Sequence, residues 1–198
     1  MIEGYKKFLF FLVLTILLNL TAFKVWSKSG DDLVEIILLD NLDDTRGFCI
    51  DIRGHKYKAK IERGIQVHTC YSYQSKIAVD QGLSAKRLQQ KELFFPYFDV
   101  CVYPTSFNKP FSLNLQKCKT KQIFIFGEDN TIRFKNNKDL CLTVVRENSR
   151  KGGGGSLVHL MRKLSMEVCN SQMLNFQTWG IRYFKKGKIF TEKISSYK

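Results

Sequence analysis

A carboxylate and an aromatic ring stand beside two cysteines in the first half of the chain. Asp51 comes two residues after Cys49, and His68 comes two residues before Cys70. A carboxylate that accepts hydrogen bonds from neighbouring hydroxyls gains about 1.5 to 3 kcal/mol from such a charge-assisted bond. A flat ring can cover the apolar C–H face of the same ligand. If the two cysteines are joined, this spacing predicts a shallow pocket for a hydroxyl-rich ligand.

The segment around Cys49 returns twice in weaker form along the chain. Phe48-Cys49-Ile50-Asp51 is echoed by Val100-Cys101-Val102-Tyr103 and by Leu140-Cys141-Leu142-Thr143. A second cysteine and then a glutamine follow each copy: Cys70 with Gln74, Cys118 with Gln122, and Cys169 with Gln177. Repeats of about 40 to 50 residues, each with a few short strands, predict a fold built from three similar units.

Short windows rich in β-branched and aromatic residues dominate the chain, and they predict an all-β sandwich or barrel. The predicted strands are Leu33–Leu39, Phe48–Ile52, Ile65–His68, Val100–Tyr103, Phe111–Leu115, Ile123–Phe126, Thr131–Phe134 and Leu140–Val145. The segment from Ala78 to Glu92 is the best candidate for an inserted helix, or it is irregular. The run Gly152–Ser156 has the composition of a flexible linker, and we interpret it as a surface loop inside the third copy.

The chain begins with the layout of a secretory signal peptide, which we assign to residues 1–27. Lys6 and Lys7 precede an apolar run from Phe8 to Phe23, and cleavage could follow Ala22 or Ser27. An uncleaved membrane anchor is the alternative, although a spanning helix needs about 20 apolar residues. Both interpretations take the rest of the chain out of the cytosol, so we expect a secreted, extracellular or periplasmic protein.

The six cysteines all follow this segment, and an even number in an exported chain favours three disulfides. Sequence alone allows roughly 15 pairings. The repeat favours the pairing that closes one loop within each copy, at about 3 kcal/mol of stabilisation each. This pairing joins Cys49 to Cys70, Cys101 to Cys118, and Cys141 to Cys169.

The chain carries a formal net charge of +14, which predicts attraction to anionic surfaces. The basic residues are dense only in Lys56–Lys60 and in the tail, residues 182–198. A solvated basic surface is favoured over a nucleic-acid site, because export separates the chain from intracellular nucleic acid. The tail is either a final strand or a mobile basic end.

These residues together resemble the ricin B-type lectins, a family of β-trefoil domains built from three related copies. The resemblance covers residues 33–181, with copies at about 35–82, 92–127 and 128–181. It rests on Cys49-Ile50-Asp51, on Ile65-Gln66-Val67-His68-Thr69-Cys70, and on Gln177-Thr178-Trp179. The family implies an all-β β-trefoil that binds a carbohydrate or glycoconjugate without catalysis.

The resemblance also implies a role for individual residues in the first copy. Asp51 matches the family's sugar-binding aspartate, His68 its stacking ring, and Gln66 a flanking polar contact. Gln74 matches the glutamine that opens the Gln-x-Trp motif, although Gln74-Ser75-Lys76 lacks the final aromatic residue. The aspartate position is occupied by Tyr103 and Thr143 in the other copies, where we expect structural roles. An alternative for Asp51 is a turn carboxylate that bonds Arg53 or backbone amides.

No enzyme motif stands out in the sequence. His55, His68 and His159 lack the spacing of metal ligands, and no nucleophile motif or phosphate-binding loop occurs. We therefore expect no catalytic residues, no metal and no cofactor, in a protein that is monomeric and binds carbohydrate. The alternative is a disulfide-stapled interaction module or inhibitor that has lost sugar binding, because a fold does not guarantee its usual function.

Overall fold

The computed structural model describes residues 33–105, 112–119, 123–153 and 157–197, and this part of the chain is mostly β-structure. The strands are β1 (Leu33–Leu38), β2 (Phe48–Ile52), β3 (Ile65–Thr69), β4 (Leu83–Ser84), β5 (Phe94–Phe95), β6 (Val100–Pro104), β7 (Leu113–Gln116), β8 (Phe124–Phe126), β9 (Ile132–Phe134), β10 (Asn137–Val144), β11 (Arg150–Lys151), β12 (Leu160–Arg162), β13 (Leu164–Val168), β14 (Trp179–Lys185) and β15 (Lys188–Lys193). Two short α-helices are α1 (Ala85–Gln89) and α2 (Leu174–Gln177). Short 3-10 helices span Lys56–Lys58, Ile61–Arg63, Tyr71–Gln74, Ser171–Met173 and Ile194–Ser196.

The predicted signal peptide, Gln122 and residues 154–156 of the glycine-rich run lie outside the described residues. Within the described ranges, no helix is both long and apolar enough to cross a membrane.

The strands form three antiparallel sheets, and each sheet contains one cysteine hairpin. The largest sheet has the order β11-β12-β3-β2-β1-β14-β15, with β4 also paired to β1. The second has the order β13-β10-β9-β8, and the third has the order β5-β6-β7. The all-β prediction is therefore confirmed.

The three disulfides are those that the repeat predicted: Cys49–Cys70, Cys101–Cys118 and Cys141–Cys169. In each pair, the first cysteine lies opposite the residue that is two positions before the second cysteine. These cross-strand pairs are Cys49 with His68, Cys101 with Gln116, and Cys141 with Glu167. One register is thus used three times, once in each copy.

An apolar core joins the three sheets. Its largest fully buried side chains include Phe48, Phe95, Phe124 and Trp179, which come from β2, β5, β8 and β14. Burial of each such ring contributes roughly 1.5 to 3 kcal/mol. The indole N–H of Trp179 donates to the carbonyl oxygen of Leu142 at 2.9 Å, so the ring is fixed as well as buried.

The chain beyond Ile181 continues as strand rather than as a free basic end. β14 and β15 form a hairpin in which Tyr183 lies opposite Phe190 and Lys185 lies opposite Lys188. β15 is the edge strand of the largest sheet, and Ile194 after it is fully buried. Of the two structures left open for the tail, the strand is the one formed.

Two further segments differ from the sequence-based expectation. Only Ala85–Gln89 is α-helical within the region 78–92, and the Ser84 hydroxyl caps this helix by accepting from the Arg87 N–H at 3.3 Å. Strand β13 received no prediction although its residues alternate between apolar and polar types. Its pairing with β10 supplies the second half of the third cysteine hairpin.

Candidate functional site

Strands β2 and β3 bring three of the predicted site residues together. Asp51 lies opposite Gln66, and Cys49 lies opposite His68. Residues two apart in a strand share a face, so Asp51, Gln66 and His68 lie on the side of the hairpin that carries the disulfide. The pocket predicted from the sequence required a carboxyl group and a ring near the same disulfide, and Asp51 and His68 both lie on this face.

Asp51 is buried, with only 1% of its surface exposed. One carboxyl oxygen accepts from Gln66 Nε2 at 2.9 Å, and the other accepts from Gln81 Nε2 at 3.3 Å. The structure therefore gives Asp51 two amide partners within the protein, and neither is Arg53 or a backbone amide.

A second buried carboxyl, Asp80, lies near Asp51. The backbone N–H of Lys56 donates to Asp80 Oδ2, whereas Asp80 Oδ1 has no hydrogen-bond partner. Burial raises the pKa of Asp51 strongly, and the nearby Asp80 carboxyl raises this pKa further. Burial also raises the pKa of Asp80. Ionising both of these buried, neighbouring carboxyls costs free energy, so the pair holds protons to higher pH than free carboxyls do.

Gln81, and not Gln74, occupies the position in the first copy that Gln177 occupies in the third. Gln81 Nε2 donates to Asp51 and to the Thr69 carbonyl at 3.1 Å, while its Oε1 accepts from the Tyr71 N–H at 2.8 Å. The residue two positions later, Leu83, is fully buried in β4, as Trp179 is in β14. Gln81-Gly82-Leu83 is therefore the counterpart of Gln177-Thr178-Trp179.

Gln74 instead lines a cleft of about 580 Å³ beside the β2–β3 hairpin. The polar and aromatic side chains of the cleft are His55, Lys56, His68, Tyr71, Tyr73, Gln74 and His159. Gly54, Gly152, Gly153, Leu157 and Met161 complete its walls. Asp51 and Gln66 do not line it, so the predicted four-residue site divides into two pairs, one buried and one in the cleft.

The rings of the cleft pack edge against face around His159. Its ring centroid lies 5.1 Å from that of His68, 5.3 Å from that of Tyr71 and 5.9 Å from that of Tyr73. His159 reaches this position because β12 pairs with β3, with Met161 opposite His68. All three histidines of the chain therefore line one cleft, which their separation in sequence did not predict.

A chain of hydrogen bonds fixes the orientation of the cleft side chains. Gln74 Nε2 donates to the Tyr73 hydroxyl at 2.9 Å, and this hydroxyl lies 2.8 Å from His159 Nε2. Because Tyr73 accepts from Gln74, its own proton is available to His159, which then carries its hydrogen on Nδ1. Lys56 Nζ donates to Gln74 Oε1 at 3.5 Å and so extends the chain to the mouth of the cleft.

His68 is fixed by its own main chain. Its Nδ1 lies 3.0 Å from the Thr69 carbonyl oxygen, which can only accept, so Nδ1 carries the hydrogen and Nε2 is an acceptor. A side chain built at Gly152 would place its Cβ 3.7 Å from His68 Nε2, so this nitrogen is directed toward the glycine wall of the cleft. Burial lowers the pKa of His68 to about 4 and also lowers the pKa of His159. Near pH 7 both rings are neutral.

Tyr71 connects the cleft to the buried acidic pair. Burial and the nearby Asp51 and Asp80 carboxyls raise the pKa of its phenol. Its ring centroid lies 5.2 Å from that of His68. The aromatic residues one and three positions after Cys70 are the sequence signal by which this cleft could have been predicted.

The corresponding residues of the other copies have internal partners. Thr143 Oγ1 accepts from Gln177 Nε2 at 2.9 Å and donates to the Cys141 carbonyl at 2.8 Å. The Tyr103 hydroxyl accepts from the Lys119 N–H at 2.6 Å. These contacts agree with the structural roles predicted for the two residues.

Within the described residues, one group of side chains has its ligand atoms close enough together for a metal, and it consists of Glu35, Cys49 and Cys70. Both cysteines are joined in a disulfide, so their sulfurs are not thiolate ligands. This group is not a candidate metal centre.

Comparisons with protein-family models, with curated proteins and with solved structures found no match to this chain.

Proposed function

We propose that this chain is an exported β-trefoil of the ricin B type that binds carbohydrate, without catalysis, in the cleft beside the β2–β3 hairpin. The observation that carries the proposal is the combination, in one cleft, of four packed rings with hydrogen-bonding groups of fixed orientation. The rings belong to His68, Tyr71, Tyr73 and His159.

The chemistry of the cleft suits a sugar. Aromatic faces and edges cover apolar C–H groups, while neutral imidazoles and amides both donate and accept hydrogen bonds with hydroxyls. His68 Nε2 supplies an acceptor and the exposed Gln74 supplies an amide. In this proposal Asp51 and Gln66 support the hairpin from inside, while His68 and Gln74 contact the ligand.

Internal symmetry supports the trefoil part of the proposal. Three hairpins share one register between their cysteines, and two glutamines repeat one set of hydrogen bonds. The three disulfides are typical of an oxidising compartment, which supports export. The working unit is proposed to be a monomer.

The burial of Asp51 favours a second candidate function, a protein-interaction module on the same scaffold. A carboxylate that is bonded to Gln66 and Gln81 cannot accept hydroxyl groups from a sugar without first breaking those bonds. Leu157 and Val158, beside the cleft, are 58% and 47% exposed and could contact a protein partner.

The test is a glycan-binding screen of the mature protein with two matched variants. Tyr73→Ala removes a ring from the cleft, whereas Tyr97→Ala removes a half-exposed ring in the second copy. Loss of one stacked ring should weaken binding roughly two- to twelvefold, since such ring contacts contribute about 0.5 to 1.5 kcal/mol. If no glycan binds, or if both variants bind as the parent does, the carbohydrate proposal fails and the interaction module is favoured.

A further inference from the structure

The loop that joins β2 to β3 carries an unusual density of positive charge at the mouth of the cleft. We call residues 53–64 the basic loop. Its cations are Arg53, Lys56, Lys58, Lys60 and Arg63, against the single acid Glu62. Lys58, Lys60 and Arg63 are exposed, as is the ring of Tyr57, with 62% of its surface accessible. The loop therefore presents several solvated cations and one exposed aromatic ring, over which Lys58 Nζ lies at 5.9 Å from the centroid.

The basic loop is folded against the cleft. Lys60 N–H donates to the Arg53 carbonyl at 3.2 Å, and Arg53 N–H donates to the Gly64 carbonyl at 3.0 Å. Gly54 has φ +147°, and a Cβ there would lie 2.4 Å from Ala59 Cα, so only glycine lets the loop close this tightly. The backbone of the loop is thus closed by two hydrogen bonds and by the close approach of Gly54 to Ala59.

Lys56 connects this loop to the interior of the cleft. Its backbone N–H is bonded to Asp80, and its Nζ lies 5.5 Å from the centroid of the Tyr71 ring. The same Nζ contacts Gln74 Oε1. One cation of the loop therefore lies among the side chains that are proposed to hold the sugar.

One cation beside the cleft, Arg46, lies over the Tyr73 ring and is paired with Asp44, whereas within the described residues the cations of the basic loop form no ion pair. Ion pairs in the described part of the chain involve Arg46, Arg87, Arg133, Arg162 and Lys163, and none involves the basic loop. Next to the glycine residues of the cleft, exposed Arg150 and Lys151 of β11 immediately precede Gly152. Among the described residues, the side chains that line the cleft include no carboxylate.

Asp44, whose charge acts on His68 and His159, is already paired with Arg46 and so leaves the charge of the basic loop in place. Asp51 and Asp80 are buried, and burial raises the pKa of both. Protons held by this pair leave the base of the cleft less negative than two free carboxylates would. The field at the cleft mouth is therefore set by lysine and arginine, and it favours an anion.

We propose that the ligand of this cleft is an anionic carbohydrate, with sulfate or carboxylate groups that the basic loop and the β11 cations contact on either side of the sugar. This inference rests on the proposed function and names its ligand class. Rings in the cleft cover the sugar, Lys56 contacts an anionic group within the cleft, and Lys58 and Lys60 contact groups on neighbouring sugar units.

The experiment compares three oligosaccharides of equal length by calorimetry: a sulfated heparin hexasaccharide, its fully desulfated form that keeps the carboxylates, and a neutral hexasaccharide. The loop variant is Lys58→Gln with Lys60→Gln. The matched control is Lys186→Gln with Lys188→Gln, which removes the same charge from the β14–β15 hairpin at the other end of the sheet. Tyr73→Ala tests whether binding uses the cleft.

We expect at least one of the two acidic hexasaccharides to bind more tightly than the neutral one. Tighter binding of the sulfated form alone identifies sulfate as the recognised group, and equally tight binding of the desulfated form identifies carboxylate. The loop variant should weaken that binding roughly tenfold, since it removes two exposed cations that are proposed to contact the anionic groups. The control should change it less than about twofold. Binding of the parent should weaken steeply as salt rises above about 150 mM, because exposed charges are screened.

Separate outcomes overturn the inference and the proposed function. If the neutral hexasaccharide binds as tightly as the acidic ones and depends on Tyr73, the anionic inference is wrong and sugar binding stands. If the loop and control variants lose affinity equally, the net charge of the protein, and not the position of the basic loop, determines the affinity, and the inference is wrong. If no hexasaccharide binding depends on Tyr73, both proposals are wrong. If a single-stranded thymidine hexamer binds as tightly as the acidic hexasaccharides, the protein binds polyanions in general, and the inference of an anionic carbohydrate ligand is wrong.

Discussion

Gln81 and Gln177 make the same three hydrogen bonds in two different copies of the repeat. Each side-chain amide donates to the residue two positions after the first cysteine and to the carbonyl just before the second. Each Oε1 accepts from the N–H just after the second cysteine, at 2.8 Å and 2.9 Å. The glutamine therefore ties the two ends of a cysteine hairpin to the chain that follows it.

This relationship predicts the effect of removing either glutamine. Gln81→Ala and Gln177→Ala should each lower the free energy of unfolding by about 2 to 4 kcal/mol, because buried polar groups are left without partners. Gln74→Ala, which removes an exposed side chain, should cost less than about 1 kcal/mol. Urea denaturation of the three variants measures this difference. Equal costs for Gln74→Ala and Gln81→Ala would contradict the assignment.

The sequence was sufficient for the parts of the fold that repeat locally. Alternation around Cys49, Cys101 and Cys141 predicted three strands, and the repeat predicted all three disulfides. Gln81 escaped prediction because Gln74 is the first glutamine after Cys70, whereas Gln81 lies 11 positions after Cys70 and Gln177 lies 8 positions after Cys169. The longer loop before Gln81 changes the spacing and leaves the hydrogen bonds unchanged.

The cleft could be predicted only in part. His68 and Gln74 come from the first copy, where the repeat identified them, whereas His159 arrives through the pairing of β12 with β3. Pairing across about 90 residues leaves no periodic signal in one sequence. The burial of Asp51 was equally hidden, because its partners are Gln66 on the facing strand and Gln81, 30 residues further along the chain.

A second prediction concerns Glu35, a fully buried residue of β1 that lies near Ser72 and Arg182. Burial raises the pKa of Glu35 to about 7, while the nearby Ser72 and the positive charge of Arg182 act in the opposite direction. The folded state keeps a proton that the unfolded chain releases at lower pH. The stability that Glu35 contributes is therefore full below the unfolded pKa of 4.5 and decreases as pH rises to about 7.

Glu35→Gln removes this dependence. Relative to the parent, the variant should gain about 3 kcal/mol of stability between about pH 4.5 and pH 8. Urea denaturation across this range measures the gain, with the exposed Glu62→Gln as a control that should stay within about 0.5 kcal/mol of the parent. A constant difference between parent and Glu35→Gln across this range would show that Glu35 ionises normally in the folded protein.

A third prediction concerns the protonation of His68. Burial lowers the pKa of His68 to about 4, so at about pH 5.5 only a few per cent of the folded molecules should carry the imidazolium. Because the unfolded value is near 6.5, His68 lowers the stability of the fold as pH falls from 6.5 toward 4. This effect is opposite in sign to that of Glu35.

Long-range nitrogen–proton NMR spectra of the imidazoles can check both the pKa and the tautomer of His68. We expect hydrogen on Nδ1, an unprotonated Nε2, and resonances that scarcely move between about pH 7.5 and pH 5.5. A titration midpoint near 6.5 for His68 would contradict its burial beside Tyr71 and His159.

The last prediction separates the three disulfides by accessibility. Their sequence separations are 21, 17 and 28 residues, so loop-closure entropy predicts a similar stabilisation of about 3 kcal/mol for each. Their exposure differs: Cys49 and Cys70 are both fully buried, whereas Cys118 and Cys169 are half-buried. Reduction requires a reductant to reach a sulfur atom.

The Cys49–Cys70 bond should therefore be the last that a phosphine reduces under native conditions, as followed by timed alkylation and mass spectrometry. Denaturation should remove the difference, and early reduction of Cys49–Cys70 in the native protein would show that the hairpin beside the cleft opens before the other two.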